Sequence, residues 1–324
     1  MKAILSALTP VPEHMPTVFP KPEHLCNLAE LQARLALRAG LFSHIRAVFE
    51  ENGFMAVETP LVINAPAPEE FIEAPRCGER FLRCSPELEM KRLLCAGFER
   101  IYQIGACFRA GEHGRRHREE FTMLEWYECG ADYWQLLRFT SMMLREAALR
   151  MFGSPTINFQ GMTIDLKVDP QIITVDDAYR QFAGISSAEA LERDIFDEIM
   201  SSKIEPQLGL GRLTFLMDYP ASRASLARLK KDDSTVAERW ELYIGGLEIA
   251  NAYSELTDGV VQRQRFAAEA TARAASGMNV YPEPVEFFES LEYGMPDCAG
   301  CALGMDRLAM VFTNAEDISQ VTMN

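Results

Sequence analysis

Between Asn27 and Asn52 the apolar residues Leu28, Leu31, Leu35, Phe42, Ile45, Val48 and Phe49 recur mostly at steps of three, four or seven, and the run stops at Asn52-Gly53. That spacing predicts a helix of about seven turns with a glycine-type C-terminal stop. A short strand, Phe54 to Glu58, follows and runs into Thr59-Pro60. After a loop with Pro60, Pro66, Pro68 and Pro75, Arg80 to Cys84 reads as a strand and Pro86 to Ala96 as a helix with Pro86 and Glu87 in its first turn. Arg100 to Phe108 and Phe121 to Cys129 are apolar strands joined by a long basic tip. Helix Asp132 to Phe152 and a small hairpin over Thr156 to Val168, turning at Gln160-Gly161, come next. Residues 170–210 are more helical and polar, as an insertion on the core would be. Strands resume at Thr214 to Tyr219 and within Glu238 to Leu256. A helix spans about Val260 to Ser276, and strand 298–303 leads into helix 304–313. There is no internal repeat and no low-complexity tract.

Composition narrows the class. With 48% hydrophobic and 24% charged residues over 324 positions, the chain is globular rather than disordered, collagenous or coiled-coil. Length alone allows two domains, although mixed catalytic units of this size also form one core. A formal charge of −15 argues against a surface built to bind nucleic-acid backbone, which needs clustered Lys and Arg. The start, Met1 to Lys21, has only Ala3-Ile4-Leu5 as an apolar stretch before Ser6, Pro10, Pro12 and Glu13. This is no signal peptide, and residues 1–24 read as an N-terminal arm. No stretch is long and apolar enough for a membrane span. The eight cysteines are irregularly spaced, which predicts reduced thiols in a cytoplasmic protein.

Three segments are suited to chemistry. Cys107 to Tyr127 packs Arg109, Arg115, Arg116, Arg118, His113 and His117 onto one loop of an acidic chain, with Phe108 and Phe121 beside them. Guanidinium forks suit phosphate oxygens and an aromatic ring can stack on a purine, so the loop suits a nucleoside triphosphate. The plainer alternative is a solvated hairpin tip. Gly294 to Leu308 offers Ala299, Gly300, Ala302 and Gly304, small residues that let a strand-to-helix turn approach a ligand, with Arg307 in the next turn; packing alone would also explain them. Trp240 to Glu255 places Glu241, Glu248 and Glu255 seven apart, as a Mg²⁺ or cationic-substrate site would. A step of seven alternates faces on an unbroken strand, so convergence needs a turn at Gly245-Gly246. Otherwise these are exposed carboxylates. Cys298-x-x-Cys301 is a lone pair at a strand end, and His113-x₃-His117 is surrounded by arginines, so neither is read as a metal site. No GxSxG and no Walker A loop occurs.

In order, these segments resemble the three motifs of class II aminoacyl-tRNA synthetases. The long helix with Val57-Glu58-Thr59-Pro60 resembles motif 1, Phe108-Arg109 through Phe121-Thr122-Met123-Leu124-Glu125-Trp126-Tyr127 resembles motif 2, and Gly300-x-Ala302-Leu303-Gly304-Met305-Asp306-Arg307-Leu308 resembles motif 3. The spelling is that of the lysine branch, with Ser85-Pro86-Glu87-Leu88, Gly246-Leu247-Glu248-Ile249-Ala250-Asn251 and Ser254-Glu255-Leu256-Thr257-Asp258. The resemblance spans about residues 25–315. It implies an α+β fold, an antiparallel sheet flanked by helices, as one catalytic domain over 25–324 with 170–210 as its helical insertion. Lysyl-tRNA synthetases add an anticodon-reading OB-fold of roughly a hundred residues or more, for which residues 1–24 are too few. The chain is thus similar to the short paralogues that ligate (R)-β-lysine to a lysine of elongation factor P. Ala302, where lysyl-tRNA synthetases usually have Gly, agrees with that branch.

What the resemblance implies is a two-step ligase using ATP and Mg²⁺, with elongation factor P as protein substrate, no tRNA, and a homodimer through the motif 1 helix. Arg109 and Arg307 are the catalytic residues it points to. Arg109 would meet the α-phosphate, Phe121 and Arg307 would cover the two faces of adenine, and Ile249 and Gly304 would shape the ATP site. Glu241 and Glu248 would hold Mg²⁺. Ser85, Pro86, Glu87, Tyr127, Glu255 and Ala302 would form the amino-acid site, where buried carboxylates partner two ammonium groups. The loop departs from the family spelling: Ala110-Gly111 replaces Asn-Glu, with Glu112 displaced by one, and Arg118-Glu119 replaces Asn-Pro, leaving Arg118 to reach the nucleotide. Two alternatives remain open: a free-standing lysyl-adenylate enzyme charging tRNA or a small amine, and a binding paralogue that has lost catalysis.

Overall fold

The computed structural model describes residues 23–69 and 71–323. The expected arm lies outside these as far as residue 22. Helix α1 runs Glu23–Glu51, and Gly53, at φ 77°, ends it. Its second half buries Leu41, Ile45, Val48 and Phe49, whereas Leu28, Leu31 and Leu35 in the first half are only half-buried. Strand β1 (Met55–Ala56) is shorter than its pattern suggested, and β2 (Val62–Ile63), β3 (Arg76–Cys77) and β4 (Arg80–Leu82) form a small separate sheet. Helix α2 (Glu87–Cys95) has Pro86 at its N-cap.

Strands β5 (Arg100–Phe108) and β6 (Glu120–Cys129) form the long hairpin. Helix α3 (Tyr133–Phe152) opens on a reciprocal cap between Asp132 and Gln135 and closes on Gly153 at φ 69°. The small hairpin is β7 (Thr156–Phe159) with β8 (Met162–Asp165). In the stretch expected to be an inserted helical unit, strand β9 (Gln171–Thr174) joins the main sheet before the short helices α4 (Val175–Ala183), α5 (Ser187–Glu192) and α6 (Phe196–Ile199). Tyr179 stacks on Phe196 at 4.8 Å inside this unit. Then come β10 (Thr214–Pro220), β11 (Val236–Ile244), β12 (Leu247–Ser254), α7 (Gly259–Ala275), α8 (Val285–Tyr293), β13 (Cys298–Gly304) and α9 (Met305–Thr313).

The main sheet has eight strands in the order β1-β5-β6-β13-β12-β11-β10-β9. From β5 to β10 every pairing is antiparallel, as expected. Both edges differ: β1 with β5 and β9 with β10 are parallel. Parallel partners need a crossover, and α4 to α6 lie within the connection from β9 to β10.

Alternation of side chains sorts the sheet into two faces. Leu124 and Trp126, Ala299, Cys301 and Leu303, Ala250 and Ala252, and Trp240 and Leu242 join α1, α3 and α9 in the principal core. Glu125, Tyr127, Gly300, Ala302, Asn251, Tyr253, Arg239 and Glu241, between or beside them, line a cavity. Cys298 packs instead in the cluster with α2, α7 and α8, so the Cys298-x-x-Cys301 pair is split between the faces and both thiols are free. Among the described residues no group of His, Cys, Asp and Glu is arranged to hold a metal alone, and no helix is long and apolar enough to cross a membrane.

Asp132→Ala is expected to cost about 1 kcal/mol of unfolding free energy through loss of the cap. The check is a urea titration, with a lower midpoint and unchanged slope.

Candidate active site

The face opposite the core holds a cavity of about 330 Å³, within the size of small-ligand sites. Its floor is two rows of directly paired residues: Glu125, Ala302, Asn251 and Glu241, and beside them Tyr127, Gly300, Tyr253 and Arg239. Every one of these eight lines the cavity. The turn required to bring Glu241 and Glu248 together exists, with Gly245 at φ 59° and Gly246 at φ 73°, and a bulge at Leu242/Tyr243 adjusts the register.

At one end, carboxylates converge. Glu125, 2% exposed, accepts from Ser85 Oγ at 2.7 Å and Tyr127 Oη at 2.6 Å. Lys91 Nζ lies 2.6 Å from Glu87 Oε1 and 2.6 Å from Glu255 Oε2. Burial opposes the lysine's charge, but Glu255 and Glu87 outweigh it and raise the ammonium above its usual range. Burial, then the Glu87 charge, pushes the Glu125 carboxyl up to about 8. Burial likewise pushes Glu255 up to about 7, against the pull of Lys91. Glu255 Oε1 is buried without a hydrogen-bond partner. With all three carboxyls ionised, one internal ammonium leaves two charges unmatched, which suits a ligand whose two ammonium groups displace the protons.

Gly300 makes room for this arrangement. A Cβ there would overlap the Tyr127 ring and Glu255 Oε1, and the Tyr127 ring is held by its bond to Glu125.

The other end is basic. Arg109 Cζ stands 5.2 Å from the Phe121 ring centroid, and its buried Nε has no hydrogen-bond partner, an orphan donor suited to an anion. Arg307 Nη1 donates to Glu248 O at 3.0 Å and approaches Glu248 Oε2 at 3.3 Å. Its Nη2 meets His117 Nε2. Burial and the Arg307 charge hold His117 below the usual imidazole range, so the neutral ring accepts from Arg307. Arg118 lines the same end. The departures of the loop from the family spelling have a local reason: Gly111 sits at φ 79°, its N–H donates to Glu119 Oε1 at 2.8 Å, and Ala110 N–H donates to Glu73 O at 2.8 Å. A left-handed residue is needed there, which favours glycine.

Between the ends, Arg239 Nη2 donates to Glu241 Oε1 at 2.6 Å and Tyr243 Oη donates to Glu241 Oε2 at 2.7 Å. Burial and then the neighbouring Glu241 charge raise the Glu248 carboxyl.

The chain matches the class II tRNA synthetases (D, K and N) over residues 24–323. The chain belongs to this class II family. Similar proteins are an "Elongation factor P--(R)-beta-lysine ligase" of Proteus mirabilis, 37% identical over 305 residues, and proteins of the same name from Photorhabdus laumondii, 37% identical over 307 residues, and Hamiltonella defensa, 34% identical over 307. Each match covers 89% of this chain and 94% of the relative. Use of ATP follows from membership of the class II family.

The class II cavity contains Ser85, Glu87, Arg109, Arg118, Phe121, Tyr127, Glu241, Glu248, Ile249, Glu255, Ala302, Gly304 and Arg307, all singled out from the sequence. Pro86 is the exception. It caps α2 at φ −79° and does not reach the cavity. Sequence reasoning missed roles for Glu125, Asn251, Arg239 and Tyr253, although strand alternation from Tyr127, Glu255 and Glu241 puts them on the same face. It also missed Glu69 and Ile72, which line the wall because the buried Arg273 of α7 donates to Glu69 O, Ile72 O and Glu73 Oε2 at 2.5–2.6 Å.

Gly300→Ala is expected to abolish amino-acid activation in pyrophosphate exchange and to lower the melting midpoint, because the added methyl overlaps a buried ring; normal exchange would show that Tyr127 moves aside. Protons compete with ammonium groups for Glu125 and Glu255, whose carboxyls are neutral below about 8 and about 7. Affinity for a diammonium amino acid should therefore rise with pH from about 6 to about 8.5, as read by calorimetry.

Proposed function

We propose that this protein activates (R)-β-lysine with ATP as an aminoacyl-adenylate and transfers it to a lysine side chain of elongation factor P. The observation that carries the reading is the single cavity with Glu87, Glu125 and Glu255 at one end and Arg109, Phe121 and Arg307 at the other. The names of the relatives specify the amino acid and the acceptor.

In the first step the amino-acid carboxylate attacks the α-phosphorus of ATP, and pyrophosphate leaves. Arg109 neutralises charge on the α-phosphate through its unpartnered donor, and Phe121 and Arg307 hold the adenine between them. Ser85 and Tyr127 orient the Glu125 carboxylate, and Glu87, Glu125 and Glu255 take the two ammonium groups; Ala302 and Gly304 keep the floor shallow, and Ile249 borders the nucleotide. In the second step the acceptor amine, after losing a proton, attacks the acyl carbon and AMP leaves with the anhydride oxygen. Catalysis rests on positioning.

Glu241 and Glu248 fit Mg²⁺ as an incomplete site: two neighbouring carboxylates, one raised by burial and then by the other's charge, need phosphate oxygens to finish the shell. When bound, the ion would neutralise phosphate charge. The half-covered apolar stripe of Leu28, Leu31 and Leu35 supports a homodimer through α1. We place the enzyme in the cytoplasm, acting as a single catalytic domain on a protein rather than a tRNA.

Pyrophosphate exchange should be supported by β-lysine better than by α-lysine, and incubation with elongation factor P, ATP and β-lysine should make the factor heavier by one lysyl unit. Exchange with neither amino acid would remove the ligase reading; tRNA charging without labelling of the factor would favour a free-standing lysyl-adenylate enzyme. Arg109→Ala should abolish exchange with the oligomeric state unchanged in light scattering.

A further inference from the structure

The pairing between β6 and β13 ends at Met123 and Gly304. Beyond that point β6 continues to Thr122 and Phe121, paired with β5, while the other chain turns into α9 and carries Asp306 and Arg307. Phe121 and Arg307, which both line the basic end of the cavity, therefore stand just past the last backbone tie between their elements. A side-chain tie takes over there. Asp306 Oδ2 accepts from Thr122 N–H at 2.7 Å, in place of a ladder carbonyl. Asp306 is 3% exposed, and its Oδ1 is held by Arg38 of α1, with Nη2 at 2.7 Å and Nε at 3.3 Å. Arg38 Nη2 also donates to Thr122 Oγ1 at 3.0 Å, and its guanidinium lies 4.2 Å from the Phe42 ring centroid. One guanidinium thus binds the immediate neighbours of both Phe121 and Arg307, and the planar fork fixes direction as well as distance.

We propose that Arg38 is a positioning residue that sets the width of the slot between Phe121 and Arg307, and so the affinity for the nucleotide and not for the amino acid. This rests on the reading that the slot takes adenine. Arg38 touches no part of the amino-acid end: Glu87, Glu125 and Glu255 are held by Lys91, Ser85 and Tyr127. Without Arg38, the Asp306 carboxylate keeps one hydrogen bond but loses its counter-charge, and α9 is free to shift against β6.

The test is steady-state pyrophosphate exchange with each substrate varied in turn. In Arg38→Met, KM for ATP should rise roughly tenfold to a hundredfold, the scale expected for misplacement by about an ångström, while KM for the amino acid stays within about twofold. Arg38→Lys, which keeps the charge but not the fork, should fall between. Combining Arg38→Met with Phe121→Ala should cost less than the sum of the two, because a slot without its ring no longer needs a set width. An equal rise in both KM values, or an unchanged KM for ATP, overturns the proposal. If Arg38→Met does not fold, Arg38→Lys decides by the same split. Phe121→Ala alone reports on the underlying reading: a normal KM for ATP there removes adenine from the slot, independently of what Arg38 does.

Discussion

Lys91 lies 2.6 Å from carboxylates of both Glu87 and Glu255, with lysine and Glu255 each about 1% exposed. Its position is dictated by a helix, α2, whose Glu87 is one turn earlier, and by the end of β12, where Glu255 stands. A lone buried charge here would be costly, and breaking such a pair typically destabilises by about 3–5 kcal/mol. The pairing thus fixes α2 against the sheet, and α2 in turn carries Glu87, with Ser85 just ahead of its N-cap, to the cavity. The lysine matches part of the acidic charge and leaves the remainder for a cationic guest.

The floor of the cavity is built by strand alternation. One row of the sheet supplies Glu125, Ala302, Asn251 and Glu241, and the next supplies Tyr127, Gly300, Tyr253 and Arg239. Because neighbours in sequence point to opposite faces, Leu124 and Trp126 pack the core while Glu125 and Tyr127 line the site. The basic end is different in kind. It is assembled from a loop, a helix start and the end of β6 beyond its pairing with β13, and it relies on side-chain ties such as Arg307 to Glu248 O and Glu119 to Gly111.

The elements with long regular patterns were legible from residues alone: Arg100–Phe108 matches its expected span, and Glu241 and Glu248 line one cavity by the turn that their spacing required. What escaped had weak or remote signals. Strand β1 is two exposed residues, too short to alternate visibly, and the short β9 lies in a polar stretch, so neither parallel edge was foreseen. Helix α8 follows Pro282 and Pro284, and its apolar Phe287, Phe288 and Leu291 make too short a stripe to announce itself. Arg38, Lys91 and Arg273 have partners up to 268 residues away, and nothing in their local spelling tells a buried anchor from a solvated cation. Pro86 stands at the N-cap of α2 and not on the cavity wall, because a motif names neighbours together, whereas a helix cap turns them apart.

The division of labour between the two faces of the sheet gives this scaffold an unusual kind of latitude. Residues that hold the layers together and residues that line the chamber alternate along the same four strands. A methyl at position 302 meets the chamber while its neighbour Leu303 packs in the core, so one architecture can drift from one cargo to another while its interior stays fixed.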